Sequence, residues 1–298
     1  MLIGEREVTL SNEDKVFFPR EALTKGDLLR YYIDLAPYVL GHVRDRPMLM
    51  KRYPNGAEAD FFYQKRVPRP HPEWLRSVHI RFPSGRSADF PVVDDAASLA
   101  WIVNLGCIDL NTWPTRTAHV ERPDYLLIDL DPREGDPWEH VREIALVVGE
   151  VMTELGLAGY PKTSGATGLH VLAPIEPELE FPEVRRLAKA LAQEVERRVP
   201  DIATTTWRVA EREGVFVDFG QNARDRTIAS AYSIRPTLDA RASAPLRWDE
   251  VGDVEPADYT LLTMRGRVEA VGDLTAGMWD DKPSLLPRFG ALGLDPPA

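Results

Sequence analysis

The segment 124–132, DYLLIDLDP, places two carboxylates inside an apolar run that has the composition of a β-strand. Successive strand side chains point to opposite faces, so Asp129 and Asp131 share one face, and Leu126, Ile128 and Leu130 share the other. Two ionised carboxylates this close repel each other, and the pKa of one rises unless a cation compensates. The apolar flanks favour a divalent cation as that partner. The alternative is a turn or helix cap before the following proline.

A third carboxylate, Asp218, lies in the apolar segment VFVDFG (215–220), which also predicts a strand. Magnesium takes oxygen ligands, usually one or two carboxylates together with waters and substrate phosphates. Three aspartates on adjacent strands can hold two ions about 3.5–4 Å apart, the arrangement used for in-line displacement at phosphorus. The pattern therefore predicts Asp129, Asp131 and Asp218 as a set of catalytic metal ligands.

The composition describes a globular protein rather than a membrane or secreted one. Of the 298 residues, 44% are hydrophobic and 28% charged, and no apolar run reaches about 18 residues. The N-terminus, MLIGEREVTL, has no signal-peptide pattern, and the single cysteine, Cys107, excludes an internal disulfide. We therefore expect a cytoplasmic protein with no membrane partner.

The charge is unevenly distributed along the chain. The formal net charge is -11, which argues against indiscriminate coating of DNA. The stretch from Arg44 to Arg86, however, contains ten Lys and Arg residues and only four Asp and Glu residues. This stretch predicts either a solvated basic face or a phosphate-binding surface on an otherwise acidic body.

The order of the predicted elements indicates an α/β (α+β) fold with mixed strand directions and no obvious boundary. A capping-box pattern at Thr24 and Asp27 predicts a first helix. Asp136 as N-cap with Pro137 at the first helical position predicts a helix after the DYLLIDLD strand, ending before Gly156. The remaining predictions are strands at 47–53, 168–174 and 215–220, a hairpin of 78–82 with 88–93, a helix ending near 106, a helix that starts near 182 and stops before 200, and a strand at 227–233 that pairs with 215–220.

The loop KTSGATGLHV (162–171) is a candidate triphosphate site. Backbone N–H groups around Ser164, Gly165 and Thr167 could bind an anion, and the following strand presents His170. Lys162 or His170 would supply a cationic or hydrogen-bonding arm. The loop is not a P-loop, because no Gly-Lys-Ser/Thr ending is present, and its glycines could equally serve a tight turn.

Two further clusters combine aromatic or basic residues. In ADFFYQKRVP (59–68), adjacent aromatics precede Lys65, a combination that suits base stacking with phosphate contact and that could also be ordinary core. The segment DRTIASAYSIRP (225–236) brings Arg235, which could bind a phosphate or form a surface ion pair.

Together these segments resemble a known family. DYLLIDLDP, KTSGATGLHV and VFVDFGQNARDRTIASAYSIRP, in this order and spacing, are similar to the three signature motifs of the archaeo-eukaryotic primase superfamily. The opening SNEDKVFFPREALTKGDLLRYY, KRYPNG and DFFYQK resemble the polymerase domain of bacterial ligase D and its stand-alone relatives. The resemblance covers residues 5–290. It implies a single primase-polymerase domain over 1–298, with an RRM-like core flanked by helices, a DNA-binding part at 5–115 and a catalytic core at 120–290.

The resemblance also implies an activity, its cofactors and its partners. We expect a monomeric, template-dependent nucleotidyltransferase that adds nucleotides, preferably ribonucleotides, to primer 3′ ends at gaps or breaks during non-homologous end joining, using two Mn²⁺ or Mg²⁺ ions. The expected partners are primer-template or 5′-phosphorylated DNA, NTPs, a DNA ligase and Ku, in the cytosol or nucleoid. The matched nucleotide-binding residues are Ser164, Gly165, Thr167, His170, Arg235, Lys51 and Asn111. The matched DNA-binding residues are Lys15 and Lys25, which would hold a downstream 5′-phosphate, with Arg52, Phe61, Phe62 and Lys65.

The sequence departs from the pattern of the ligase-fused members in two segments. A His-Pro pair is common in that family where this chain has Asn111 and Thr112, and a lysine is common where it has Thr167. Both changes remove side chains expected near the nucleotide, so we expect an altered triphosphate grip with an unchanged metal triad. They favour a stand-alone or ligase-C-associated relative.

Two other functions are compatible with parts of the pattern. A metal-dependent nuclease also uses paired aspartates and a basic face, but it has no evident use for the Ser164–His170 loop and Arg235. A non-catalytic module that binds 5′-phosphorylated ends and recruits a ligase would not need three aspartates on apolar strands.

Overall fold

The structure, a computed structural model, describes residues 1–297, and the chain in that range divides into two units, each discontinuous in sequence. The first unit comprises residues 1–118, 227–244 and 259–272. The second comprises residues 119–226, 245–258 and 273–297. No helix within residues 1–297 is long and apolar enough to span a bilayer.

The first unit contains four helices and three two-stranded sheets beside one four-stranded sheet. Its helices are α1 (Lys25–Asp34), α2 (Ala36–Val43), α3 (Ala96–Asn104) and α6 (Met264–Val271). Its strands are β1 (Leu2–Ile3), β2 (Arg6–Glu7), β3 (Val16–Phe18), β4 (Leu23–Thr24), β5 (Met48–Arg52), β6 (Phe62–Gln64), β7 (Ser77–Arg81), β8 (Ser87–Pro91), β9 (Cys107–Thr112) and β15 (Ile228–Ala229). The four-stranded sheet has the order β15-β9-β5-β6, and every pairing in it is antiparallel.

The second unit is built around one five-stranded sheet. Its strands are β10 (Tyr125–Asp131), β11 (Tyr160–Thr163), β12 (Leu169–Pro174), β13 (Ala203–Thr204) and β14 (Val215–Asp218), and its helices are α4 (Trp138–Glu154), α5 (Phe181–Arg198) and α7 (Leu286–Ala291). The sheet order is β11-β12-β10-β14-β13, with β13 and β14 parallel and all other neighbours antiparallel. Such a mixed sheet with helices packed on it confirms the predicted α/β class.

The central strand β10 has the two-faced character that its sequence predicts. Leu126, Ile128 and Leu130 are fully buried, whereas Asp129 is half-buried and Asp131 exposed. The amphipathic helices α4 and α5 bury apolar stripes that contribute to the core of this unit. The apolar face of β10 therefore anchors the strand, and its aspartates stay at the surface of the sheet.

Most predicted elements are confirmed. Thr24 caps α1 through a complete capping box with Asp27, residues 78–82 and 88–93 fall in an antiparallel hairpin, and Gly156 follows α4 with a φ of 65°. In each case a local signal, either a cap, a turn or a positive φ, determines the boundary.

Two predictions are wrong. Asp136 is not the N-cap of α4, because the helix begins one residue later with Pro137 as N-cap, and the Asp136 carboxylate accepts from the backbone N–H of Arg133 instead. The strands at 215–220 and 227–233 do not pair with each other. β14 pairs with β10 and β13, whereas β15 pairs with β9 in the other unit. Each strand therefore pairs with strands distant in the sequence rather than with its neighbour along the chain.

Candidate active site

Four polar residues form a row across four adjacent strands of the second unit. Asp218 on β14 is the register partner of Asp129 on β10, Asp129 is the partner of His170 on β12, and His170 is the partner of Lys162 on β11. Side chains of directly opposed residues in antiparallel strands lie on the same face. The row therefore collects two acids and two nitrogen bases on one face of the sheet.

Contacts along the row orient each side chain. The Lys162 ammonium lies 2.6 Å from Nδ1 of His170, and Nε2 of His170 lies 3.3 Å from Oδ1 of Asp129. An ammonium group can only donate, so Nδ1 accepts and Nε2 donates toward the carboxylate. Lys162 and His170 are both buried, at 3% exposure each. The imidazole is thus held in one orientation, with its proton directed at the acidic end of the row.

The carboxylate of Asp218 is fixed by donors from the turn that follows it. Oδ1 accepts from the backbone N–H of Gly220 at 2.5 Å, and Oδ2 accepts from Nε2 of Gln221 at 3.1 Å. Burial nevertheless raises the pKa of Asp218 above its ordinary value, and the charge of Asp129 adds to the rise. The site therefore holds an acid whose ionised form is only partly compensated by these donors.

Asp131, the last residue of β10, completes the acidic end of the site. Partial burial and the neighbouring charge of Asp129 raise the pKa of the Asp131 carboxyl. The Arg212 guanidinium, 3.9 Å from Oδ2 of Asp131, opposes this rise while packing on the ring of Phe216 at 3.6 Å from its centroid. That separation is longer than a hydrogen bond, so one distant cation partly balances the acids.

The three aspartates offer the donor chemistry of a divalent cation. Within residues 1–297, no group of three or more His, Cys, Asp or Glu side chains is arranged to hold a metal ion. Magnesium usually needs one or two carboxylates, because waters and substrate phosphates complete its shell. Asp129 and Asp218, opposed across β10 and β14 with oxygen donors alone, fit that requirement. The complete three-aspartate ligand set stays a prediction.

The loop after β11 folds around the hydroxyl of Ser164. Its Oγ accepts from the backbone N–H of Ala166 at 3.1 Å and of Gly168 at 3.0 Å. Two amides expected to bind an anion therefore bond within the loop. Gly165 has a φ of 70°, and Thr167 is exposed. The predicted phosphate contacts of Ser164, Gly165 and Thr167 stay predictions.

In the first unit, a buried carboxylate links two of the predicted nucleotide-binding cations. Oδ2 of Asp109 lies 3.8 Å from Nζ of Lys51 and 3.8 Å from Nε of Arg235. The Lys51 ammonium also lies 4.3 Å over the ring of Phe61. Burial lowers the pKa of Lys51, which Asp109 partly restores. Asn111, two residues further along β9, donates to the backbone carbonyl of Asp109 at 3.3 Å.

A basic cavity of about 250 Å³ lies elsewhere in the first unit. Lys15, Lys25 and Arg52 line it together with Asn104. Lys25 is 4% exposed, and its ammonium donates to Oδ1 of Asn104 at 2.7 Å and to the carbonyl of Ser11 at 2.6 Å. Burial lowers the pKa of Lys25. Three cations around one cavity of this size fit a single phosphate group.

The predicted stacking residues are accessible. Phe61 and Phe62 are each 46% exposed, and the Arg52 guanidinium lies 5.2 Å over Phe62. The Lys65 ammonium packs over Phe82 at 4.5 Å, so it belongs to a neighbouring aromatic contact. Cations placed over exposed rings suit contact with both bases and phosphates.

Three residues of these sites were missed by sequence reasoning. Asp109 is a charge inside the apolar strand CIDLNT, the same signal that identified Asp218. Asn104 lies at the end of α3 and gave no signal, because its partner Lys25 is distant in sequence. Arg212 lies in a loop whose position depends on tertiary structure.

The sequence matches the family described as LigD, primase-polymerase domain, over residues 24–275. The chain belongs to this family. The resemblance stated from the three motifs is confirmed.

Relatives of this primase-polymerase domain are found in Mycobacterium and Bacillus. The chain is 32% identical over 291 residues to the multifunctional non-homologous end joining protein LigD of Mycobacterium bovis, and 29% identical over 262 residues to the bifunctional LigD of Bacillus subtilis. These matches cover 94% and 87% of this chain but 38% and 42% of the relatives. The chain therefore spans about two fifths of the length of these curated proteins.

A solved structure has the same fold. The polymerase domain of Mycobacterium tuberculosis ligase D, in complex with DNA, matches with a TM-score of 0.86 and 32% identity, covering 93% of this chain and 99% of that domain. The predicted fold class is thereby confirmed.

Proposed function

We propose that this chain is a template-dependent nucleotidyltransferase that extends primer 3′ ends in DNA end joining. The observation that carries the proposal is the row from Asp218 through Asp129 and His170 to Lys162, in a domain of the LigD primase-polymerase family. The basic end of this row, His170 and Lys162, suits the negative charge of a nucleoside triphosphate. The acidic end suits the cations that would bind the reacting hydroxyl.

The acidic end would hold the cations. Asp129, Asp131 and Asp218 are the proposed ligands of Mn²⁺ or Mg²⁺. When bound, such an ion supplies Lewis-acid stabilisation of the phosphoryl oxygens and activates the attacking hydroxyl. The raised pKa values of Asp131 and Asp218 support this assignment, because a cation would relieve the cost of ionising both. The use of two ions is part of the proposal.

His170 would act on the triphosphate. Its Nε2 donor already lies 3.3 Å from Asp129, and Lys162 holds the other ring nitrogen. A donor held beside the metal ligands can be shared between Asp129 and a phosphate oxygen and keep the substrate aligned for in-line attack. Ser164, Gly165 and Thr167 are the proposed neighbours of that phosphate.

The first unit would bind DNA and phosphates through separate clusters. The cavity lined by Lys15, Lys25 and Arg52 is the proposed site for a downstream 5′-phosphate. Phe61 and Phe62 are proposed to stack on template bases. Lys65 is proposed to contact DNA, and Lys51, Asn111 and Arg235 to contact the nucleotide.

Finer features belong to the same proposal. They comprise a ribonucleotide preference, use at gaps or breaks, action as a monomer in the cytosol or nucleoid, and cooperation with a ligase and Ku. The Asn111, Thr112 and Thr167 departures are proposed to weaken the triphosphate grip.

The test is primer extension on gapped DNA with Mn²⁺, comparing NTPs with dNTPs and a downstream strand with and without its 5′-phosphate. We expect longer products, more with NTPs, and more with the phosphate present. Products shorter than the primer would identify a nuclease. Binding that depends on the 5′-phosphate, without incorporation of any nucleotide, would identify an end-binding module.

A further inference from the structure

The indole of Trp207 is 55% exposed although it lies against buried aromatic rings. It belongs to the loop between β13 and β14, with its centroid 6.1 Å from that of Phe216 and 6.3 Å from that of Phe219. Both supporting rings are buried, at 2% and 7% exposure. Trp207 thus exposes a large aromatic surface to solvent and is supported from beneath by two buried rings.

This surface lies directly beside one of the proposed metal ligands. A Cβ at Gly220 would lie 2.9 Å from Cη2 and Cζ3 of Trp207 and 2.9 Å from Oδ1 of Asp218. The indole and the carboxylate therefore flank the same point of the backbone. Any larger side chain at Gly220 would collide with one or the other, so the absence of a side chain permits their proximity.

Cationic groups surround the same rings. The Arg185 guanidinium lies 5.8 Å from the centroid of Trp207 and 5.7 Å from that of Phe219. Nε of Arg185 is buried and makes no hydrogen bond within residues 1–297. Arg212 covers the neighbouring Phe216. An exposed ring bordered by guanidinium groups has the character of a single-stranded nucleic-acid contact, in which a base stacks and its phosphate meets a cation.

We propose that Trp207 is a stacking platform for the terminal base of the primer, which it positions beside Asp218. This inference rests on the proposed function, since Asp218 belongs to the site where the primer 3′-hydroxyl would react. Trp207 is a positioning residue: it holds the nucleotide that carries the hydroxyl and takes no part in the chemistry.

The occupant is a nucleic-acid base rather than an apolar protein segment for two reasons. The flanking groups are arginines, which complement the phosphate backbone. The ring also adjoins the carboxylate of Asp218, a polar setting that disfavours an apolar partner.

The experiment is a thermodynamic cycle between protein and primer, measured by fluorescence anisotropy without nucleotides. Wild type and Trp207→Ala are titrated against labelled primer-templates that end either in a normal nucleotide or in an abasic residue at the 3′ terminus. The DNA lacks a downstream strand, so the cavity at Lys15 and Lys25 has no 5′-phosphate to bind. Trp207→Phe and Val209→Ala are made in parallel. Val209 is 66% exposed in the same loop but has no ring.

We expect Trp207→Ala to weaken binding of the normal primer about tenfold and of the abasic primer less than twofold. Trp207→Phe should recover most of the loss, and Val209→Ala should match wild type. An equal loss on both primers, or no loss on either, would overturn the proposal. Circular dichroism of each variant separates a folding defect from a lost contact.

The failure of this inference can be told apart from the failure of the proposed function. Binding is measured without incorporation, so the cycle gives its answer even if the wild-type protein does not extend primers. Conversely, extension by the wild type with no base-dependent effect of Trp207 would leave the proposed polymerase intact and refute the platform alone.

Discussion

Asp129 and Asp218 face each other as register partners on neighbouring antiparallel strands, and His170 is paired with Asp129 from the strand on the other side. The central acid therefore has a hydrogen-bond donor on one flank and a second acid on the other. This asymmetry predicts that the aspartates differ in their contributions to stability although all three are needed for extension.

Replacing the acids should abolish nucleotide incorporation. Asp129→Asn and Asp218→Asn each remove a negative charge from the proposed cation site, so we expect primer extension with Mn²⁺ to fall at least about 100-fold. The measurement is the single-turnover extension rate. Asp136→Asn is the matched control, because that carboxylate follows the same strand but bonds to Arg133. Loss of activity in the control, or its retention in the two site variants, would contradict the assignment.

The same substitutions should have opposite effects on stability. The pKa of Asp218 is raised in the folded chain, so its ionised form costs stability at pH values above that pKa, and the cost disappears as the pH falls through it. Asp218→Asn should therefore raise the Tm by about 1–3 °C at pH 7, a gain that shrinks toward pH 4. Asp129→Asn replaces the charged acceptor of the His170 Nε2 donor with a neutral amide oxygen, which weakens this contact, and should lower the Tm. Thermal unfolding from pH 4 to 8 without divalent ions measures both, and a pH-independent gain would refute the explanation.

Recognition of the 5′-phosphate should weaken at alkaline pH. Burial lowers the pKa of Lys25, so its charge is lost at a lower pH than that of an exposed lysine. We expect the affinity ratio between phosphorylated and unphosphorylated gapped DNA to decline as the pH rises from 7 to 10. In Lys25→Arg, whose guanidinium stays charged over this range, the ratio should be flat. A steep profile in the arginine variant would place the titrating group elsewhere.

Two glycine-to-alanine substitutions should distinguish a glycine that close packing requires from one that only adds backbone flexibility. A Cβ at Gly168 would lie 2.1 Å from the carbonyl oxygen of Leu130, between Asp129 and Asp131, so Gly168→Ala should cost about 2–4 kcal/mol and reduce extension. At Gly266, on helix α6, a Cβ meets nothing within 4 Å, and Gly266→Ala should stabilise by about 0.5–1 kcal/mol. Urea unfolding measures both. Equal effects would show that the close approach at Gly168 is not what requires glycine.

Local patterns predicted much of the architecture and of the acidic site. The alternation in β10 placed Asp129 and Asp131 on one face, and the unexplained charge in an apolar strand identified Asp218. The capping box at Thr24 and the turn glycine at Gly156 gave helix boundaries. These signals are reliable because each depends on a few consecutive residues that have one low-energy backbone conformation.

Other features depended on contacts between distant segments. Nothing in the sequence near Lys25 predicts its hydrogen bond to Asn104. Likewise, the pairing of Lys162 with His170 depends on the register between two strands. The wrong pairing of 215–220 with 227–233 has the same origin, since strand partners are chosen by the whole sheet.

The sequence by itself determined the chemistry of this protein: the acids on apolar strands, the loop before His170 and the family to which they belong. The tertiary structure alone decided which groups meet, namely the Asp218–Asp129–His170–Lys162 row, the basic cavity at Lys25 and the proximity of Trp207 to Asp218. The physical reason is that side-chain type and strand periodicity are local properties, whereas strand register and loop placement minimise the free energy of the entire packed unit.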